Sequence, residues 1–116
     1  MDLNTLSSEV QQHVINMFRE HQSPKLMFHN LYHTEYVVNK SALIAGNYQL
    51  NEQEQFVLNM AAWFHDTGYL FVPPAEHEEK SVELMKQFAR ERQVPFDIVN
   101  EVAGCIMATR LPRNPS

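Results

Sequence analysis

The stretch that decides the fold is residues 51–69, NEQEQFVLNMAAWFHDTGY. Asn51 followed by Glu54 is the pattern of a capping box, in which each side chain bonds the backbone N–H of the other residue at the start of a helix. Thr67 and Gly68 are expected to end this helix. Its apolar residues recur at the spacing of one helix face, namely Phe56, Val57, Met60, Ala61 and Phe64. The stretch therefore predicts an amphipathic helix that packs one face against a core.

Two helices are predicted before this one, and no segment alternates with the period of a strand. The first covers about residues 4–21 and is followed by Ser23-Pro24, since proline disrupts a helix interior. The second starts near Asn30 as its N-cap and ends at Gly46. It carries the apolar residues Val37, Val38, Leu43, Ile44 and Ala45.

Two more helices are predicted after it. The fourth helix covers about residues 76–92 and follows a loop that contains Pro73, and Pro95 separates it from the fifth. Residues 111–116, LPRNPS, are predicted to be a turn-like connection. The predicted fold class is therefore all-α, a single domain of about five helices over residues 1–116.

Composition narrows the class of protein. The 116 residues are 44% apolar and 20% charged, an ordinary globular mix and enough for one domain. The net charge of −5 argues against duplex DNA or an anionic membrane surface as the main partner. The N-terminus does not resemble a signal peptide, no apolar run reaches the length of a membrane span, and Cys105 has no second cysteine to pair with. A cytoplasmic globular protein is predicted.

Three histidines are expected on the core-facing sides of three different helices. His65 continues the stripe of the third helix, and Asp66 follows it directly. His33 shares the inward face of the second helix, and His77 stands in the first turn of the fourth. Imidazole and carboxylate are good ligands for divalent transition metals, and helix bundles build such sites from facing helices. Each histidine taken singly is more often a hydrogen-bonded structural residue, so the prediction of a metal site depends on the whole set.

His29 lies four residues before His33. If the second helix extends back that far, the two rings are neighbours on one face, and His29 is placed to donate a proton beside a metal held by His33. The alternative is that His29 is a turn residue ahead of the Asn30 cap. The sequence leaves both open.

Four ordered motifs are similar to those of a known family. They are FHNLYHT at residues 28–34, AAWFHDTGY at 61–69, HEEKS at 77–81 and IMAT at 106–109. In that order they resemble the F-H-N-x-x-H-T, A-A-x-x-H-D-x-G, H-E-x-x-S and I-x-x-T motifs of the HD-superfamily metal-dependent phosphohydrolases. Four ordered motifs are more specific than one His-Asp pair, and the resemblance covers roughly residues 13–112. It implies an HD-domain-like helical bundle.

The resemblance also implies a cofactor and residue roles. The cofactor is a divalent metal ion, with Mn²⁺, Mg²⁺, Fe²⁺, Ni²⁺ and Zn²⁺ all open, and His33, His65 and Asp66 match its ligands. His77 matches a position that contacts a second metal or the substrate phosphate in some members. His29 matches the histidine that protonates the leaving group in the related cyclic-nucleotide phosphodiesterases, and Asp66 could also orient the attacking water. The catalytic residues are therefore expected to be His29 and Asp66, and the metal-binding residues His33, His65, Asp66 and His77.

One residue of the family pattern is missing. The fourth ligand of the family is an aspartate on the helix after I-x-x-T, and the sequence has none there. The other aspartates, Asp2 and Asp97, do not fit the motif. We therefore expect a C-terminally shortened form of a longer domain, or a partner chain that completes the site.

The expected activity is metal-dependent hydrolysis of a phosphate ester, with a nucleotide or another small phosphorylated metabolite as substrate. Lys80 and Arg110 either meet the substrate phosphate or are solvated surface charges. Two alternatives stay open. One is a non-catalytic helical module that senses a ligand or binds a partner through a degenerate site, and the other is a purely structural role for the histidines.

A homo-oligomer is a further expectation, because a missing C-terminal helix would leave apolar helix faces exposed. Trp63, Phe64 and Phe71 are candidate contact residues, with core packing as the ordinary alternative for all three. Neither duplex nucleic acid nor a membrane is expected as a partner.

Overall fold

The computed structural model describes residues 2–109, which form a bundle of five α-helices. The helices are α1 (Leu3–His21), α2 (Pro24–Asn47), α3 (Glu52–Phe64), α4 (His77–Glu91) and α5 (Phe96–Ala108). Two short 3₁₀ helices, Thr67–Leu70 and Pro74–Glu76, connect α3 to α4. No strand occurs in the part of the chain that the structure describes, so the predicted all-α fold is confirmed. Arg110 and the turn predicted at 111–116 lie outside the described residues.

Helix α3 is the centre of the bundle and packs against α1, α2 and α5. Its predicted capping box is present, since Glu54 N donates to Asn51 Oδ1 at 2.8 Å and Asn51 N donates to Glu54 Oε1 at 3.0 Å. Trp63 and Phe64 are buried in the core, whereas Phe71 is exposed. The α3 core residues Phe56, Val57, Met60, Ala61 and Phe64 belong to one cluster with Leu6, Val10, Val14 and Phe18 of α1 and Ile98, Val102 and Ile106 of α5.

Helix α2 begins earlier than predicted. Ser23 is its N-cap, with Oγ 3.5 Å from the backbone N three residues on, and Pro24 is its first residue. Proline fits the first position of a helix because the N–H that it lacks would have no partner there. The Ser-Pro pair therefore starts α2, and the predicted cap at Asn30 is wrong. His29 consequently lies inside a helix, one turn before His33, and is not a turn residue.

Only one side of α2 is buried. Thr34 and Ala45 are its buried residues, and they face α1 and α3. Leu43 and Ile44 are 62% and 51% exposed, so these two apolar residues of α2 do not face the core. Helical periodicity shows which side chains share a face, but it does not show how many faces a neighbouring helix covers.

Helices α4 and α5 complete the core. The bounds of α4 agree with the prediction to one residue at each end, and Met85 and Phe88 are its largest buried side chains. The predicted loop that contains Pro73 includes the two 3₁₀ helices, the first of which packs on α4.

None of the helices within residues 2–109 is both long and apolar enough to cross a lipid bilayer.

Candidate metal centre

Two imidazoles and a carboxylate converge where α2 passes the end of α3. His33 belongs to α2, His65 is the C-cap residue of α3, and Asp66 follows it. Asp66 Oδ2 lies 3.1 Å from His65 Nε2 and 3.3 Å from His33 Nε2. One ligand atom of each residue lies within 4.8 Å of the other two, which is close enough for one ion to bind all three. The structure thus brings together three of the four residues that the sequence nominated as metal ligands.

A backbone hydrogen bond sets the orientation of the His65 ring. His65 Nδ1 lies 2.6 Å from the Ala62 carbonyl oxygen, and it must carry a proton to donate to that acceptor. In the neutral ring the lone pair is then on Nε2, which faces Asp66. The residue is 7% exposed, so packing also restrains it. A histidine that binds a metal through Nε2 is commonly oriented by its other nitrogen in this way.

His77 lies on the other side of the Asp66 carboxylate. Its Nε2 is 3.6 Å from Asp66 Oδ1, whereas the other two histidines contact Oδ2. Its Nδ1 lies 2.9 Å from the Pro74 carbonyl oxygen and 3.3 Å from Glu78 Oε1. Nε2 of His77 is therefore directed at the carboxylate. The fourth nominated ligand is a neighbour of the cluster but does not belong to the group of atoms within 4.8 Å.

Close contacts tie the segment after α3 to the start of α4. The Ser81 hydroxyl donates to the His65 carbonyl oxygen and accepts from Gly68 N–H, both at 2.9 Å. A Cβ on Gly68 would overlap the backbone carbonyl of His77, so only glycine fits there. All of these residues are buried. Both Ser81 and Gly68 belong to the sequence motifs, but their roles depend on contacts 13 and 16 residues apart and were not predicted.

The charges of the cluster stabilise one another. Burial by itself disfavours the Asp66 carboxylate, but the hydrogen bond and charge of His65, together with the other two imidazoles, outweigh burial and lower the pKa of Asp66. Burial likewise disfavours the His65 cation, but the hydrogen bond and charge of Asp66 outweigh it and raise the pKa of His65. Asp66 is therefore ionised at neutral pH and can act as an anionic ligand.

Two other nominated residues lie outside the cluster. His29 is exposed on α2, one turn before His33 and on the same side of the helix. Lys80 Nζ lies 3.3 Å from Glu83 Oε1 and 5.7 Å from the centroid of the Phe71 ring. Lys80 thus contacts its own helix and the preceding loop.

A cavity of about 360 Å³ opens beside the cluster, a volume within the range of small-molecule sites. Its wall includes Phe18, Gln22, Asn30, His33, Asp66 and Tyr69. The Tyr69 ring stacks on His77, with the centroids 3.9 Å apart and the planes 14° apart. Tyr69 therefore contacts both the cavity and the His77 ring. Its place in the AAWFHDTGY motif was the one sequence signal that could have pointed to this role.

The donor set suits a divalent transition metal. Two imidazole nitrogens and one carboxylate oxygen are ordinary ligands for such ions, and three protein ligands leave coordination positions for water or substrate, as in catalytic sites. The residues present therefore fit the metal that the motifs imply.

Comparisons with protein-family models, with curated proteins and with solved structures find no match to this chain.

Proposed function

We propose that this protein is a metal-dependent phosphohydrolase. The main support is the cluster of His33, His65 and Asp66, because two imidazoles and an ionised carboxylate bind a divalent ion and leave coordination positions open. The cavity beside the cluster provides room for a substrate. The four motifs that resemble the HD superfamily point to the same chemistry.

The roles of the residues follow from their positions. When held by His33, His65 and Asp66, a divalent ion supplies a Lewis acid that polarises a phosphoryl oxygen and lowers the pKa of water. The Ala62 carbonyl keeps the lone pair of His65 Nε2 directed into the site. Asp66, which is held ionised, can accept a hydrogen bond from the attacking water. His29, one turn before His33, is the proposed donor of a proton to the leaving oxygen.

The proposed substrate is a nucleotide or another small phosphorylated metabolite. In the wall of the cavity, Tyr69 offers an aromatic surface and Asn30 an amide for the part of the substrate beyond the phosphate. His77, which faces the second oxygen of Asp66, is the proposed contact for a substrate phosphate or a second ion. We place this activity in the cytoplasm, because the single Cys105 suits a reducing compartment.

The proposal does not require a fourth protein ligand. Asp2 caps α1 and Asp97 is exposed in the first turn of α5, so within residues 2–109 neither aspartate joins the cluster. Three-ligand sites are common among catalytic metal centres. A fourth ligand from a longer form or a partner chain stays a prediction.

Metal content is the experiment that tests the proposed site. Wild-type protein loaded with Mn²⁺ and freed of excess ion is expected to retain close to one ion per chain by mass spectrometry. Asp66→Asn is expected to lose most of it, because the change removes the negative charge of the cluster. Asp97→Asn is a matched control, since this exposed aspartate on α5 lies outside the cluster and should leave the metal content unchanged.

Phosphate release separates the candidate functions. With Mn²⁺, the wild type is expected to release phosphate from at least one member of a panel of nucleotides and sugar phosphates, and Asp66→Asn to lose this activity. Metal-dependent binding of a nucleotide without turnover would favour the ligand-sensing module instead. If wild type and Asp66→Asn both bind no metal, or the same amount, the proposed site is wrong.

A further inference from the structure

The outward side of α2 carries a stripe of large apolar side chains. Phe28, Tyr32, Tyr36 and Leu43, here called the α2 stripe, are 67%, 77%, 54% and 62% exposed. Steps of four and seven residues keep them on one side of the helix, opposite the buried Thr34. The stripe is about 22 Å long at the usual rise per residue. Continuous exposed apolar patches are uncommon on monomers and are typical of protein–protein contacts.

We propose that the α2 stripe is the contact surface for a second copy of this chain, with the two α2 helices side by side and parallel about a twofold axis. Such a contact uses the same surface of both copies, so the apolar stripe of one helix covers that of the other. This inference rests on the exposed side chains and charges of α2 and does not require the proposed phosphohydrolase activity, although the register below places His29 at the a position before Tyr32, where the interface adjoins the candidate site.

The spacing of the charged residues favours the parallel arrangement. The central positions of the helix pair, the a and d positions of a heptad, are Tyr32, Tyr36, Asn39 and Leu43. Glu35 is then a g position on one edge of the stripe, and Lys40 is the next e position on the other edge. In a parallel pair, a g residue faces the following e residue of the partner, so Glu35 faces the partner's Lys40, and the reverse contact follows from the symmetry. Lys40 Nζ already lies along the stripe, 5.4 Å from the centroid of the Tyr36 ring.

An antiparallel arrangement lacks these contacts. A twofold axis perpendicular to the helices places each edge of the stripe beside the same edge of the partner. Lys40 is then on the edge that the partner's Lys40 occupies, and Glu35 is on the edge of the partner's Glu35. Opposite charges can meet across the axis only when the helices are parallel, and this selects the orientation.

The stripe is large enough for a weak dimer. A fully buried aromatic side chain covers roughly 150–250 Å², so the three partly exposed rings bring on the order of 400 Å² per copy. Leu43 and the aliphatic stems of Glu35 and Lys40 add to this, and the total for two copies approaches the roughly 1,000 Å² that a specific interface needs. Dimerisation is therefore expected to depend on protein concentration.

Sedimentation velocity of the full chain, over about a hundredfold range of concentration, tests the interface. The mass of the wild type is expected to rise from 13.5 kDa toward twice that value. Tyr36→Glu, which puts a carboxylate at the centre of the stripe, is expected to stay monomeric with an unchanged metal content. Phe96→Glu is the matched control. Phe96 is 78% exposed on α5, away from the stripe, so this variant should dimerise like the wild type. A wild type that is monomeric throughout, or a dimer that only Phe96→Glu disrupts, overturns the proposal.

Exchange of the charges tests the orientation. Glu35→Lys and Lys40→Glu are each expected to weaken the dimer several-fold, because each places like charges opposite one another across the axis. The double variant Glu35→Lys/Lys40→Glu restores the opposite-charge contacts and is expected to recover wild-type dimerisation. A double variant that dimerises no better than the single variants would contradict the parallel pairing.

A disulfide cross-link gives a second measurement of the orientation. In the parallel, in-register pair, residue 39 of one copy lies next to residue 39 of the other, whereas an antiparallel pair centred on the α2 stripe places these two residues about 10 Å apart along the helices. Asn39→Cys in a Cys105→Ser background is therefore expected to form a disulfide-linked dimer on mild oxidation. Ser8→Cys in the same background, exposed on α1, is the control and should stay monomeric. Efficient cross-linking through Ser8→Cys, with none through Asn39→Cys, would show that the copies meet elsewhere.

Discussion

At the scale of single residues, Ser81 helps to set the geometry around Asp66 through two hydrogen bonds. Its hydroxyl satisfies the buried carbonyl of His65 and the buried N–H of Gly68, which lie on either side of Asp66 in the chain. Neither group has water to replace this partner, because Ser81 and Gly68 are fully or nearly fully buried. Loss of the hydroxyl leaves two buried polar groups unpaired.

Ser81→Ala is therefore expected to lower the free energy of unfolding by about 2–4 kcal/mol, the usual cost of two unpaired buried groups. Urea denaturation of the two proteins measures the difference. Ser8→Ala is the control, because an exposed serine on α1 should change stability by less than about 0.5 kcal/mol. Equal stability of the two variants would contradict the role assigned to Ser81.

The cluster of His33, His65 and Asp66 could be anticipated at this scale, but the residues that support it could not. His65 follows the α3 stripe and Asp66 is its neighbour, so local periodicity and the HD-like motif were enough to place them. Ser81 and Tyr69 act through contacts with residues on other elements. Sequence spacing says nothing about which distant side chains a fold brings together, so their roles needed the three-dimensional structure.

At the scale of elements, the side-chain caps at the starts of α2 and α3 differ in strength. Asn51 and Glu54 form a reciprocal capping box with bonds of 2.8 and 3.0 Å, whereas the Ser23 hydroxyl at the start of α2 makes one contact of 3.5 Å. A bond at 3.5 Å is at the limit of useful geometry. The start of α3 therefore depends more on its cap than the start of α2 does.

Asn51→Ala is expected to destabilise the protein by about 1–2 kcal/mol, and Ser23→Ala by about 0.5 kcal/mol or less. Thermal and urea unfolding of both variants, beside the wild type, measure the order. If Ser23→Ala lowers the free energy of unfolding more than Asn51→Ala does, the stronger cap that we assign to α3 is wrong.

The errors in the predicted elements have physical reasons. The pair Ser23-Pro24 is compatible with the end of one helix and with the start of the next, because serine is a favourable N-cap and proline a favourable first helical residue. The exposure of Leu43 could not be predicted, because an apolar pattern is the same whether a helix face meets the core or lies at the surface. By contrast, α3 and α4 were predicted closely because each combines a long apolar stripe with a clear boundary at both ends.

At the scale of the whole molecule, His13 packs between three helices and makes the stability of the protein depend on pH. It lies on α1, and its ring is 4.9 Å from that of Phe88 on α4 and 6.0 Å from that of Phe64 on α3, measured between centroids. Burial, and to a lesser extent the charge of Arg92, lower the pKa of His13 from its usual 6.5. The native state therefore binds fewer protons at this site than the unfolded chain does, and the protein loses stability as the pH falls from about 6.5 toward the lower native pKa.

Replacement of His13 should remove the part of the pH dependence of stability that its lowered pKa causes. Between about pH 7.5 and about pH 5.5, the wild type is expected to lose more unfolding free energy than His13→Gln does, as measured by urea denaturation. His65, whose raised pKa acts in the opposite direction, is present in both proteins and cancels in the comparison. His21→Gln, exposed at the end of α1, should follow the wild type. Parallel pH profiles for wild type and His13→Gln would refute the assignment.

The unequal burial of His33 and His65 has a consequence for how quickly the proposed metal site would exchange ions. His65 is fixed by the Ala62 carbonyl and by packing, whereas the side chain of His33 is 57% exposed. In the proposed site, water would reach His33 before His65, so we expect His33 to be the first ligand to release an ion and ions to enter and leave from the α2 side. Such a site would exchange its ion with the surrounding pool, so the ion that it carries would depend on the supply of divalent ions as well as on the preference of its ligands.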